Sequence, residues 1–300
     1  MPEAPRSDSG GTAKLLLILL ALAWGINWPV MKLALNEVTP WTLRIVGYGI
    51  GTLSLFALVR LQGRPLGLPF GPAWGHVIVS ALLNVVGFGL FSAFAQLSAL
   101  TSRVVIVSYS MPIWTSLLAW ALLGERLTTM SIAGLVLCVA GLAVLVYPLA
   151  ELGVPLGLLF ALGAAVSWAA GTIYLKWARM SADIVAVTAW QILISFLVIA
   201  ACVPLFEGAP HLWPVSAVAL FALAYQGVIG TGVAYFLWFN IVRRVPAATA
   251  SLGSLCVPVV GILSSMLILG DRPTFADAIG FALIFAAASC VLIQPAARVR

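Results

Sequence analysis

Eight side chains in this chain have the chemistry to hold a small polar molecule without transforming it: Trp24, Asn27, Trp28, Asn84, Phe88, Tyr109, Trp168 and Thr172. They offer indole and phenyl faces for an apolar group, and amide and hydroxyl groups for an ammonium or carboxylate. Trp24, Asn27, Trp28 and Met31 share one face of a helix by its 3.6-residue period, and Trp168, Gly171, Thr172 and Leu175 share the corresponding face of another. Ordinary packing explains a single Trp, but a deep indole N–H still needs a buried partner or a wet cavity. Asn84 and Phe88 share a face of a third helix, and Tyr109 lies one turn before Pro112. A buried amide or phenol is costly without a partner. Bonding to a neighbouring helix is the plain reading; orienting a bound molecule is the sharper one. Gln191, Tyr225, Gln226 and Tyr235 rank second.

Covalent chemistry has little support. His76 and His211 stand at segment ends with no carboxylate or nucleophile pattern around them, and Cys138, Cys202, Cys256 and Cys290 are isolated in apolar runs. Neither a disulfide nor a metal site is indicated. No phosphate-binding G-x-x-x-x-G-K-[ST] occurs. The chain therefore reads as a non-enzyme that needs no cofactor.

The elements that carry these residues are membrane helices. Hydrophobic residues make up 63% of the 300 and charged residues 8%, against roughly 25% charged in soluble domains. Ten stretches can span a bilayer: 14–35, 40–60, 75–97, 102–123, 130–147, 154–177, 183–206, 213–240, 247–269 and 274–294. The eighth is long enough to include a loop. The first is too long for a signal-peptide core and lacks a cleavage site.

The second half repeats the first. Trp24 and Lys32 recur as Trp168 and Lys176, Pro112 as Pro258, Gly124-Glu125-Arg126 as Gly270-Asp271-Arg272, and Gly134 as Gly280, at offsets of 144 to 146. Five helices per repeat is odd, so the copies run in opposite senses. The fold class expected is an all-α integral membrane protein of ten transmembrane helices, as two inverted five-helix repeats around a central cavity. Its parts are a tail over 1–13, a first repeat over 14–148, a second over 154–294 and a tail over 295–300.

Eleven of the fifteen basic residues fall on the side of the N-terminus; Lys32, Arg44, Arg103 and Arg272 fall on the other. The positive-inside rule then puts both termini in the cytoplasm. Arginines at helix ends, with no basic stripe, speak against a nucleic-acid partner; the lipid bilayer is the expected surroundings. For Lys32 and Arg44, snorkelling to headgroups is favoured over holding a carboxylate. No Asp or Glu sits mid-helix, so the usual intramembrane group for proton coupling is missing. Pro29, Pro112 and Pro258 lie inside helices and are hinge or gate candidates. The two Gly-acid-Arg turns read as helix stops, with paired gates the bolder reading. The fifth and tenth helices, with Gly134, Gly141 and Gly280, read as supports. Nothing marks a dimer interface, and a monomer is plausible.

Ten helices in a five-plus-five repeat, a Trp and a Lys eight apart opening each half, and a Pro followed twelve residues later by Gly-Glu/Asp-Arg resemble the drug/metabolite transporter superfamily and, within it, the EamA-type permeases. Val107-Ser108-Tyr109-Ser110-Met111-Pro112 and Trp168-Ala169-Ala170 are similar to motifs of the YddG-type exporters of aromatic and other amino acids, although Met111 stands where those exporters can carry a Trp. The resemblance implies an exporter in the bacterial inner membrane that works by alternating access. Its substrates would be aromatic and other neutral amino acids, such as threonine or methionine. Drugs, nucleosides and other small metabolites are the alternative cargo.

Overall fold

The computed structural model describes residues 9–68, 71–148, 156–180, 182–208, 214–242 and 255–292, and is helical with no strand among them. Eight helices are long and apolar enough to cross a membrane: α1 (Ser9–Leu35), α2 (Pro40–Leu61), α3 (Pro72–Ser98), α4 (Thr101–Leu123), α5 (Thr129–Val146), α6 (Leu156–Ala178), α7 (Ile184–Phe206) and α8 (Ala217–Ile241). Two shorter apolar helices follow, α9 (Cys256–Leu269) and α10 (Phe275–Leu292). Residues 1–8, residues 247–254 of the ninth predicted stretch and the tail 295–300 lie outside the described residues, as do His211 and Trp213.

Local chemistry sets the helix ends. The Thr39 hydroxyl caps α2 by accepting from Thr42 N at 3.2 Å, with Pro40 at the first helical position. Ser216 caps α8 through Ala219 N at 3.2 Å, so residues 214–216 of the predicted 213–240 stretch precede the helix. Gly124 and Gly270 end α4 and α9 at φ 68° and 71°, a left-handed conformation that glycine adopts without a Cβ clash.

Asp183 caps α7, accepting from Val185 N at 2.7 Å, and pairs with Arg64 at 2.6 Å. Partial burial raises its pKa, but the Arg64 and backbone hydrogen bonds outweigh that and hold it below the usual carboxylate range. A depressed folded pKa gives stability that is complete above the unfolded value of about 3.9 and is lost as pH falls through the folded value. Thermal unfolding in detergent between pH 3 and 6 should therefore show an acid-side loss that Asp183→Asn removes. The expected size is under about 1 kcal/mol, since both partners are partly solvated.

The helices pack in a pattern that survives exchange of α1–α5 for α6–α10. α2 packs on α7 and α5 on α10; α1 meets α9 as α6 meets α4, and α3 meets α6 as α8 meets α1. α5 and α10 cross through glycine: a Cβ on Gly141 would lie 3.1 Å from Gly280 O, and one on Gly280 3.2 Å from Gly141 O. Arg103 at the start of α4 binds Asp277 of α10 through two bonds of 2.6 and 2.9 Å, and Asp277 is 1% exposed.

Two irregularities depart from ten simple helices. α3 and α8 each contain a six-residue π-helical segment, Leu82–Gly87 and Val228–Val233, at the same point of the repeat. α4 breaks at Tyr109 and Ser110, with Pro112 in the first turn of its second piece. By contrast, α1 runs unbroken through Pro29. Pro258 is buried in the first turn of α9; Leu255, the repeat equivalent of Tyr109, is a turn residue just before that helix, and the residues preceding it lie outside those described.

Candidate substrate site

The π segments decide what faces the middle of the bundle. A π-helical turn admits one extra residue and shifts the side chains on either side; such segments concentrate at functional sites. Within the α3 segment, Asn84 reaches α6, its Nδ2 donating to Trp168 O at 2.9 Å and to Thr172 Oγ1 at 3.4 Å. Opposite it is Gly171, where a Cβ would come within 2.4 Å of Asn84 Oδ1. The second crossing repeats this arrangement. Asn27 of α1 faces Gly230 in the α8 segment, where a Cβ would lie 2.4 Å from Asn27 Oδ1. Trp24 Nε1 donates to Gly230 O at 3.1 Å, and Gln226 Nε2 to Asn27 O at 3.1 Å. The buried amide oxygens of Asn27 and Asn84 accept no hydrogen bond.

Four rings from four helices meet beside Asn84. Phe88 packs edge-on to Trp168 at 5.1 Å and to Trp28 at 6.4 Å, and Trp28 meets Tyr109 at 6.3 Å. These edge-to-face contacts suit the ring quadrupoles. Tyr109 reaches the group from the break in α4, where it follows the last helical residue, Ser108. Ser110 serves groups around that break: its hydroxyl donates to Val107 O at 2.6 Å and accepts from Trp114 Nε1 at 3.0 Å. Thr172 stands exposed one turn beyond Trp168, its hydroxyl donating to Trp168 O at 2.9 Å.

The predicted α1 face divides. Trp28 turns to the four-ring group, whereas Trp24 and Asn27 turn to α8, with Trp24 packed on Tyr235 and Trp238 at 6.0 Å each. Of the second-rank polar groups, Gln226 bonds Asn27 as above, Gln191 Nε2 donates to Ser80 Oγ at 2.9 Å, and Tyr225 Oη to Ala23 O at 3.3 Å. Deep Trp190 has a partner as well, its Nε1 donating to Leu66 O at 2.8 Å. Two cavities of about 440 and 460 Å³ are lined by other residues, one including Arg103 and Gly157, the other Phe56 and Leu193. Among the described residues no cluster of His, Cys, Asp and Glu fits a metal.

The snorkelling reading of Arg44 is corrected. Its side chain points into the bundle and the residue is only 8% exposed. Nε donates to Gly89 O at 2.9 Å, and Nη2 to Ser92 Oγ at 2.9 Å and Met31 Sδ at 3.0 Å. Its guanidinium carbon lies 5.8 Å from the centre of the Tyr48 ring, and Tyr48 Oη donates to Val85 O in the π segment at 2.7 Å. Gly89 makes room: a Cβ there would collide with Tyr48 Oη and come within 3.2 Å of Arg44 Nε. Lys32 also turns inward, its Nζ donating to Gln96 O. The inward course of Arg44 and the π segments are the parts of the site that sequence reasoning missed. An Arg five residues inside an apolar helix was the one available signal.

The comparisons with known proteins agree with this architecture. The chain is 30% identical to the uncharacterized transporter YvbV of Bacillus subtilis, over 95% of this chain and 91% of the relative. It is 25% identical to a protein of Escherichia coli named "Probable amino-acid metabolite efflux pump", over 90% and 91%. A crystal structure of a protein superposes with a TM-score of 0.66 at 27% identity, covering 93% of this chain and 96% of that one. The EamA-like transporter family matches residues 11–147 and again 155–293. With two family segments filling an apolar bundle whose irregular helices converge on a set of rings, the chain belongs to the EamA-like transporter family of the drug/metabolite transporter superfamily.

Proposed function

We propose that this membrane transporter exports amino acids, aromatic and other neutral ones, across the bacterial inner membrane by alternating access. The observation that carries the reading is the meeting of Trp28, Phe88, Tyr109 and Trp168 beside Asn84 and Thr172, drawn from α1, α3, α4 and α6. Rings suit an apolar side chain; amide and hydroxyl groups suit its ammonium and carboxylate. Two inverted five-helix repeats with both termini cytoplasmic would rock around this point. The exchange-symmetric packing, the paired π segments and the two family segments support that arrangement. Lys176 of one half binds Glu125 of the other, and their repeat counterparts Lys32 and Asp271 attract each other, which suits gates at opposite ends. Pro112 and Pro258 are the hinge candidates, and Pro29 is the third, within an α1 that runs unbroken through it.

Counterflow in proteoliposomes tests the reading. Vesicles preloaded with unlabelled tryptophan, phenylalanine, threonine or methionine should accumulate the labelled amino acid transiently, with and without a pH gradient. Accumulation of nucleosides or cationic drugs and of no amino acid would assign the fold a different cargo.

A further inference from the structure

We propose that Arg44 is the carboxylate anchor of the substrate site, so that this transporter selects molecules with a free carboxylate. The proposal rests on the amino-acid reading and names the charged group that reading leaves unassigned. A cation inside an apolar helix is expensive unless it is paired or serves a pathway. Arg64 and Arg103 each bind an aspartate. Among the described residues no carboxylate lies within ion-pair distance of Arg44. Glu207 accepts from Thr42 Oγ1 at 2.7 Å with its other oxygen buried unpartnered, and Asp271 accepts from Ser102 N at 2.9 Å; neither pairs with Arg44.

Its position fits the role. Arg44 bonds Met31, one helical turn from Trp28, and Gly89, next to Phe88, which places its anchorage on the two helices that carry those rings. Nε and Nη2 are spent on the protein and fix the plane of the group. Nη1 makes no hydrogen bond among the described residues and is not fully buried, which leaves one donor of the guanidinium for a bound anion. An anion there gains a charge-assisted hydrogen bond. Internal comparison shows that packing alone does not require the charge. Counted from the N-caps Thr39 and Asp183, the repeat equivalent of Arg44 is Thr188, a buried neutral side chain that bonds its own helix at Ile184 O. One copy of the fold builds this position without a cation.

Competition in the counterflow assay tests the anchor. In the wild type, an amino acid should outcompete its carboxamide and its decarboxylated amine by roughly tenfold to a hundredfold, the worth of one hydrogen bond to a charged group. Arg44→Lys should keep that preference, and Arg44→Gln should bring acid and amide to within about twofold. A wild type that accepts amide and amine as readily as the acid overturns the anchor but leaves amino-acid transport standing. A wild type that moves none of the three overturns both. Arg44→Gln that reconstitutes and keeps the preference shows Arg44 to be only a staple between α1, α2 and α3. If Arg44→Gln does not fold, the wild-type competition decides.

Discussion

Replacing Trp168 or Tyr109 with alanine is expected to cut amino-acid flux at least about tenfold while the protein still folds and inserts, as for a ring that anchors a ligand. The two rings stand at opposite ends of the contact series, Trp168 on Phe88 and Tyr109 on Trp28. Either truncation removes one wall without opening the whole group. Folding should survive because the inter-helix hydrogen bond at this level uses the Trp168 carbonyl, which alanine also supplies to Asn84 Nδ2. Likewise, the hydroxyl that serves the break in α4 belongs to Ser110. Trp120, 54% exposed at the end of α4, serves as the control; Trp120→Ala should leave flux near the wild-type value. Unchanged flux in both site variants, with normal yield and elution, would remove these rings from the substrate path.

Gly171→Ala should damage both the fold and the site with a single methyl group. Its Cβ would lie 2.4 Å from Asn84 Oδ1 and 2.9 Å from the Asn84 backbone nitrogen. The side chain can swing away, but the backbone contact can be relieved only by separating α3 from α6. Overpacking of this kind costs about 1–3 kcal/mol, and here it would also displace Phe88 from Trp168. A lower thermal midpoint and lost transport should appear together. Gly75→Ala is the matched control, since nothing lies within 4 Å of a Cβ there and alanine is the better helix former. If the Gly171 variant unfolds at the wild-type temperature, the close crossing of α3 and α6 is not what holds the site.

The chain order of apolar runs and end signals already contains the helices. Thr39-Pro40, Gly124, Asp183 and Gly270 stop or start them by chemistry confined to a few residues, so these ends could be read locally. The repeat was legible for the same reason, because it is a comparison of one stretch with another. The site residues were legible as types: deep Trp, Asn and Tyr in an apolar chain must find partners somewhere. The partners themselves were not. Trp24 and Trp28, four residues apart, ended on different neighbours because α8 supplies Gly230 O to one and α3 and α4 supply rings to the other.

What sequence alone determined, then, is a ten-stretch apolar chain, its internal duplication and a short set of deep aromatic and polar residues. Tertiary structure decided which of them touch. The π segments of α3 and α8 are settled by what packs against them, since an i→i+5 turn has no local advantage over an α turn. Arg44 turns inward because Gly89 O and Ser92 Oγ, 45 and 48 residues away, offer acceptors that a bare glycine leaves open. Helix propensity is a property of neighbours along the chain. The burial of a charge and the register of two crossing helices depend on atoms brought together only by the fold.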